Sequence, residues 1–376
     1  MDAMVLAGVL LAVLVPIRTI TAFVNVVPSN AEAKLTEAAA FLKSARAEME
    51  KRGYTVQTIR VATEPAAAYT AELSGDNCIE FFAKLDAIAK REGFALSIGP
   101  LDSSRARVNA EIFRRTSQIN ASMIVRDPGS ARAAAELIMV LSKQIPDGSQ
   151  NFRFAATAGL APGSPFFPGG YAARELDHTF ALGAESPAIF REDRDAAKEL
   201  GAIADAGEQL GKSGDWKYVG LDTSPAPAPG NSLAAAIEHI ARAKLGTPGT
   251  IAAAASITTT LKSLPFKQTG YSGLMLPVLE DEVLADRVAE GRLTVYALLL
   301  YSAVCGTGLD TIPIPGDVSV DRVAKLLEEV ALLAHRWNKP LTARLFPVPG
   351  KKAGDEVRWN IDHLVSHFKV MKIERP

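Results

Sequence analysis

The stretch between Tyr301 and Asp317 combines residue types that could do chemistry in one place. It places the thiol of Cys305, the glycines Gly306 and Gly308, and the carboxylate of Asp310 directly after an apolar run. A thiolate can act as a nucleophile and a carboxylate as a general acid or base. We therefore predict that Cys305 and Asp310 are catalytic, and that the two glycines let backbone approach a ligand.

Each of these residues also has a structural interpretation. Cys305 would need a nearby cation, helix N-terminus or histidine to be reactive, and otherwise it packs as a small hydrophobic residue. Asp310 could brace a turn. Arg344 lies inside an apolar strand, and a buried arginine needs a carboxylate from the protein or from a ligand. Together with Lys351 it predicts a site for a small anion.

Two further loops carry candidate ligand-binding residues. Asp222 follows a strand, and Asn231 and Ser232 begin the next helix, where free backbone N–H groups could bind an anion or be capped by the side chains. The loop over residues 161–171 holds three prolines and three aromatic residues. It is either a lid or binding loop, or an Ω-loop packed by its own side chains.

Composition excludes several classes of protein. The chain has 376 residues, 41 Lys and Arg against 42 Asp and Glu, and a formal net charge of -1. Without a basic stripe, nucleic acid is not an expected partner. The two cysteines, Cys78 and Cys305, form no disulfide framework, which favours a reducing, cytoplasmic location. We predict no metal site, and the sequence leaves any cofactor unknown.

The N-terminus opens with an apolar run at residues 4–16. It is shorter than the about 20 residues that cross a bilayer, and Asp2 stands where a signal peptide would carry Lys or Arg. We expect residues 1–16 to be an apolar extension and no membrane to be involved. The alternative is export or anchoring through residues 4–16.

About ten strand candidates alternate with helices along the chain, which predicts an α/β fold with a mostly parallel sheet. Residues 17–27 form the first strand and residues 271–278 a later one. Residues 293–304 could be a helix or a strand. Since neither a dinucleotide-binding nor a P-loop glycine motif is present, we expect a closed, mostly parallel barrel of about ten strands. The barrel would be one domain over residues 17–376.

Four segments together resemble an uncharacterised bacterial and archaeal family that carries domain of unknown function 711: Cys305 to Asp317, Thr342 to Asp355, Asp222 to Ser232, and Ser272 to Asp281. The resemblance covers nearly the whole chain from Ile17. It implies the ten-stranded α/β barrel of pyruvate formate-lyase-type glycyl radical enzymes. It does not imply their chemistry, because residues 355–376 contain no glycine to hold a radical.

One departure from that family concerns catalysis directly. Its members tend to read G-T-H-G-T where this chain has Pro248 between Thr247 and Gly249, so a histidine that could act as a base or ligand is replaced. We expect an enzyme that acts on a small anionic metabolite at the strand-exit face of the barrel. The alternative is a non-catalytic barrel that binds a metabolite, and either could form a homo-oligomer.

Overall fold

The computed structural model describes residues 14–304, 306, 308–362 and 364–373. Cys305 and most of the N-terminal apolar run therefore lie outside the described residues. The described strands are β1 (Ile17–Phe23), β2 (Val56–Ala62), β3 (Ala95–Pro100), β4 (Ile119–Ile124), β5 (Phe154–Ala158), β6 (Thr179–Ala184), β7 (Lys217–Asp222), β8 (Gly308–Pro315), β9 (Leu341–Val348), β10 (Glu356–Arg358) and β11 (His367–Lys369).

Nine of these strands form one sheet in the order β7, β6, β1, β2, β3, β4, β5, β9, β8. β1 to β5 are parallel to one another, and so are the pairs β6–β7 and β8–β9. Antiparallel pairing joins β1 to β6 and β5 to β9. The predicted α/β fold with a mostly parallel sheet is confirmed. However, β1 to β5 run in one direction and the other four strands run in the opposite direction. Their carboxyl ends therefore lie at opposite ends of the sheet, so the Gly/Pro-rich segments that follow the strands do not all gather in one place.

Helices connect the strands: α1 (Ala31–Lys51), α2 (Ala67–Thr70), α3 (Gly75–Glu92), α4 (Ala106–Arg115), α5 (Pro128–Leu141), α6 (Pro187–Arg191), α7 (Ala196–Lys212), α8 (Leu233–Ala241), α9 (Thr250–Lys262), α10 (Glu282–Ala289), α11 (Val295–Tyr301) and α12 (Val320–Arg336). Two short 3-10 helices cover Ser149–Arg153 and Arg174–Leu176. None of the helices in the described ranges is long and apolar enough to cross a membrane.

The first two strands show how the chain divides its side chains between the two sheet faces. Ile20 and Ile59 are buried in the main hydrophobic core together with Leu35 of α1. Thr19 and Arg60, at alternating positions, line a cavity on the opposite face. Successive strand residues point to opposite faces of the sheet. The helices therefore cover one apolar face, and the opposite face, called the inner face below, is free to be polar.

The segment at residues 267–279 contacts both edge strands. The Leu221 amide of β7 donates to the carbonyl of Lys267 (3.0 Å), and the Val278 amide donates to the carbonyl of Asp310 in β8 (3.2 Å). The predicted strand over residues 271–278 is wrong, since residues 271–278 are irregular apart from one bridge between Pro277 and Asp310. Proline lacks the N–H that a continuous ladder would need. The ambiguous apolar run at 293–304 contains helix α11.

Candidate functional site

A cavity of about 200 Å³ lies against the inner face of the sheet. Eight of the nine strands in the described sheet contribute to its lining, as do the 3-10 helix before β5 and the loop after β5. Ile17 of β1 pairs with Ala184 of β6, so the cavity lies where β1 begins and β6 ends. Its charged residues are Arg18, Arg60, Asp222, Glu280, Asp310 and Arg344.

Arg344 occupies the centre of the charged lining. Its guanidinium donates from Nε to Asp310 Oδ1 and from Nη2 to Glu280 Oε1, the second contact at 2.7 Å. The rings of Phe152 and Phe166 lie 5.2 Å and 5.3 Å from its Cζ atom. The predicted need of a buried arginine for a carboxylate is therefore met twice within the chain. Burial lowers and the two carboxylates raise the pKa of Arg344, and the net shift is upward.

Asp310 is 1% exposed and is held asymmetrically. Its Oδ1 atom accepts from Arg344, whereas Oδ2 is buried and has no hydrogen-bond partner among the described residues. Burial raises the pKa of Asp310, and the positive charge of Arg344 only partly opposes that shift. A buried carboxyl with one oxygen fixed and the other free, in a cavity lining, is arranged as a general acid or base would be.

At the rim, the charged lining continues as a chain of hydrogen bonds. Arg18 donates to Glu280 (3.4 Å) and to Gln57 (3.0 Å). Gln57 donates to Glu185, whose other carboxylate oxygen accepts from the Asn231 side chain at 3.0 Å. Asn231, a predicted ligand-binding residue, thus lies at the outer end of this chain and not in the cavity lining. The side chain of Arg18 is 25% exposed, so the cavity opens to solvent here.

Arg60 is the cation of the lining that has no carboxylate partner among the described residues. Its Nε donates to the Thr58 hydroxyl (3.2 Å) and its Nη1 to the Pro165 carbonyl (3.2 Å). Its Cζ atom lies 5.0 Å from the centre of the Phe167 ring. Burial lowers the pKa of Arg60, with further lowering by the nearby charges of Arg18 and Arg344. An arginine in this state gains from a bound anion.

Asp222 lines the cavity, yet both of its oxygens are occupied. It accepts from the amides of Ser224 (3.0 Å), Tyr271 (3.1 Å) and Ser272 (3.1 Å), and also from the Ser224 hydroxyl. Burial raises the pKa of Asp222, and these donors counteract the rise. Its contacts fasten the end of β7 to the segment at residues 267–279.

The helix start at Ser232 contains an anion that the chain itself provides. The Ser232 hydroxyl donates to Asp281 (2.6 Å) and accepts from the Ala235 amide (2.9 Å). The amide of Ala234 donates to the other oxygen of Asp281 at 3.0 Å. Asp281 also accepts from the Leu284 amide and so caps α10. The first turn of α8 is thus joined to α10 through one buried carboxylate.

Two of the predicted glycines allow close backbone packing. A Cβ atom on Gly306 would lie 2.6 Å from the Cα of Gly273. Gly308 has φ +88°, and the Thr342 carbonyl oxygen is too close to leave room for a Cβ atom there. Lys351 lies in the turn after β9, where its carbonyl accepts from the Gly316 amide at 3.0 Å. Lys351 is not part of the cavity lining, and the thiol of Cys305 lies outside the described residues.

Several lining residues were not predicted from the sequence. Arg18, Arg60 and Glu280 have partners far away along the chain, so local spacing did not reveal them. A polar residue at every second position of a buried strand was the available signal, as in Thr58 and Arg60 of β2. The loop at residues 161–171 was identified, and its aromatic residues Phe166 and Phe167 line the cavity.

In the described ranges, no group of three or more His, Cys, Asp or Glu side chains could hold a metal ion.

A family model described as Uncharacterised ACR (DUF711) matches residues 11–360. A UPF0210 protein from Pyrobaculum aerophilum is 30% identical, over 96% of this chain and 90% of that protein. UPF0210 proteins from Neisseria meningitidis serogroup B (25% identity, 94% and 87% covered) and Oleidesulfovibrio alaskensis (26%, 82% and 77%) are also similar.

Proposed function

The chain belongs to the Uncharacterised ACR (DUF711) family, and for this member we propose an enzyme that moves a proton on a small anionic metabolite, with Asp310 as its general base. Asp310 carries the proposal, because this residue lines the cavity and its buried Oδ2 atom has no hydrogen-bond partner among the described residues. A buried carboxylate oxygen without a donor is costly. Its retention in a cavity is explained if the free oxygen takes a proton from a ligand.

Closure of the sheet around the cavity supports this site. A flat sheet cannot place residues from eight strands around about 200 Å³, whereas a barrel does so as a matter of geometry. The segment at residues 267–279 supplies hydrogen bonds to both edge strands, which are otherwise unpaired on that side. We therefore infer one closed barrel domain from residue 17 onward. Such a barrel is what the resemblance to pyruvate formate-lyase-type enzymes implies.

We assign different roles to the residues in and around the cavity lining. Arg60 and Arg18 bind the negative charge of the substrate near the cavity mouth. Arg344 is a positioning residue, since its guanidinium is occupied by Asp310 and Glu280. Cys305 remains a candidate nucleophile on sequence grounds, and Cys305→Ser tests it. Asp222 holds the end of β7 at the cavity, whereas Ser232, Gly306 and Gly308 are assigned structural roles outside the lining.

The proposal is tested by proton exchange, because loss of a C–H signal can be seen whatever the product is. A panel of small carboxylates, 2-oxo acids and phosphate esters is incubated with the protein in D₂O, and proton NMR follows loss of C–H signal or new products. Wild type should exchange or convert at least one compound, and Asp310→Asn should not. The control is Asp86→Asn, a buried carboxylate that accepts backbone amides outside the cavity lining. Equal conversion by Asp310→Asn would contradict the proposal.

A non-catalytic, metabolite-binding barrel is the second candidate. The observation that favours it is the occupied state of most charged groups, since Asp222, Glu280 and Arg344 are all paired within the chain. If the wild type binds a panel compound but neither exchanges its C–H protons nor converts it, the result supports the non-catalytic alternative.

A further inference from the structure

The cavity has two chemically different walls. One wall carries the guanidinium and carboxylate groups described above. The other is formed by apolar side chains from the loop after β5, the 3-10 helix before it and the segment that follows β7, namely Phe152, Pro165, Phe166, Phe167, Pro227, Met275 and Pro277. A ligand that satisfies both walls has a charged end and an apolar body.

The charged residues of the lining favour a ligand with one negative charge. Three guanidinium groups, of Arg18, Arg60 and Arg344, face two carboxylates, those of Glu280 and Asp310. Asp222 is the third carboxylate, and it accepts from Ser224, Tyr271 and Ser272 instead of pairing with a guanidinium group. Arg18 and Arg344 pair with Glu280 and Asp310, so the positive charge of Arg60 has no carboxylate partner among the described residues. A monoanion neutralises it, whereas a dianion such as a phosphate ester would add repulsion from Glu280 and Asp310.

Arg60 is the residue that would bind the negative charge of the ligand. Its Nη2 atom has no acceptor among the described residues, while Nε and Nη1 are fixed by Thr58 and Pro165. The guanidinium is thus held in one orientation and offers an unused edge. Planar guanidinium edges match carboxylates better than point-charge cations do.

Size limits the body of the ligand. A cavity of about 150 Å³ holds one benzene molecule, and this cavity measures about 200 Å³. One six-membered ring with a carboxylate fits that volume, and a nucleotide or coenzyme would extend beyond it. The Phe167 ring lies against the Arg60 guanidinium, so a flat body can stack beside it.

We propose that the cavity binds a small carboxylate with a flat, aromatic or unsaturated body, its carboxylate on Arg60 and its body against Phe166 and Phe167. This deepens the proposed function by naming the substrate class of the same site, and it rests on that function for the catalytic role of Asp310. Binding and catalysis can nevertheless be measured separately.

The test uses four probes in isothermal titration calorimetry on the full chain. Benzoate combines charge and flat body, benzamide removes the charge, cyclohexanecarboxylate removes the flatness, and inorganic phosphate removes the body. Benzoate should bind at least about tenfold more tightly than each of the others, as expected when one charged hydrogen-bonded contact or one stacked ring is lost. Equal or tighter binding of any other probe overturns the proposal.

Arg60→Met and Arg60→Lys locate the charge. Arg60→Met should weaken benzoate at least about tenfold, and Arg60→Lys should weaken it less, since lysine keeps the charge but loses the planar edge. Unchanged benzoate affinity in Arg60→Met overturns the proposal, provided that its thermal unfolding matches the wild type. Asp310→Asn should bind benzoate as tightly as the wild type or more tightly. Binding that depends on Arg60, with no proton exchange in any variant, would uphold this inference and refute only the catalytic proposal.

Discussion

Arg344 holds Asp310 by Oδ1 and leaves Oδ2 buried in the cavity lining without a partner among the described residues. The same guanidinium donates to Glu280 at 2.7 Å. Arg344 therefore serves two carboxylates at once, and Oδ2 of Asp310 is left without a donor among the described residues. This asymmetry separates a positioning role for Arg344 from a chemical role for Asp310.

Removing Arg344 should damage folding more than most single changes. Arg344→Met leaves Asp310 buried without its cation and Glu280 with Arg18 alone, and deleting one member of a buried ion pair costs about 3–5 kcal/mol. Urea denaturation followed by circular dichroism measures this cost as a fall in the free energy of unfolding. A loss below about 1 kcal/mol, the size of an exposed pair, would show that the pair is not buried as described.

Arg60→Met is the matched comparison, because it removes a second arginine from the same cavity. Arg60 has no carboxylate partner among the described residues, and a half-buried cation without a counter-charge is itself unfavourable. The free energy of unfolding should therefore stay equal to that of the wild type or rise. A loss comparable to that of Arg344→Met would mean that Arg60 has a structural partner and is not held for a ligand.

The pKa of Asp310 gives a prediction that needs no substrate. Burial raises this pKa in the folded state above the value of about 3.9 in an unfolded chain. A raised carboxyl pKa contributes stability that is complete below the unfolded value and is lost as pH rises through the folded value. Wild type should therefore lose free energy of unfolding relative to Asp310→Asn as pH rises through that window. A constant difference between the two proteins across this range would contradict the shift.

The same shift determines the acid side of the rate profile. Asp310 can accept a proton only when ionised, so kcat/KM should fall about tenfold per pH unit below its raised pKa. Rates measured for a converted panel compound from about pH 4 to about pH 8 locate the midpoint, which should lie above the ordinary aspartate value. A profile without an acid limb in this range would exclude Asp310 as the base.

The contact between Gly306 and Gly273 can be tested by adding one methyl group. Gly306→Ala would place its Cβ atom 2.6 Å from the Cα of Gly273, so backbone must move and the segment at residues 267–279 should loosen from β8. We expect a loss of about 1–3 kcal/mol, as for other overpacked sites. Gly201→Ala is the control, since nothing lies within 4 Å of that position in α7 and alanine favours a helix.

The sequence predicted the alternation of helices and strands because each helix has its own apolar spacing and stop signal. In α12, Val323, Leu327 and Val330 are buried at intervals of four and three residues. The antiparallel joins of β1 to β6 and β5 to β9 could not be predicted in this way. They depend on which strands become neighbours, and local periodicity carries no information on that.

The candidate site was predicted in part for the same reason. An arginine inside the strand Leu341–Val348 requires a carboxylate, and Asp310 was predicted as a catalytic residue, but the sequence did not predict their pairing, which joins residues 34 positions apart. Ser232 has the local pattern of both a cap and an anion site, and its partner Asp281 is 49 positions away. Arg60 was not identified because its strand has the pattern of a buried strand, and burial does not reveal whether the inner face encloses a cavity.

Proton exchange by Asp310→Asn is the most direct test of the central claim. With the panel compound that the wild type exchanges fastest in D₂O, the rate should fall about 10²–10⁴-fold, the usual contribution of a general base. Asp86→Asn should exchange at the wild-type rate per folded molecule. If Asp310→Asn exchanges within about threefold of the wild type, the difference is under about 0.7 kcal/mol of barrier, and Asp310 is not the base.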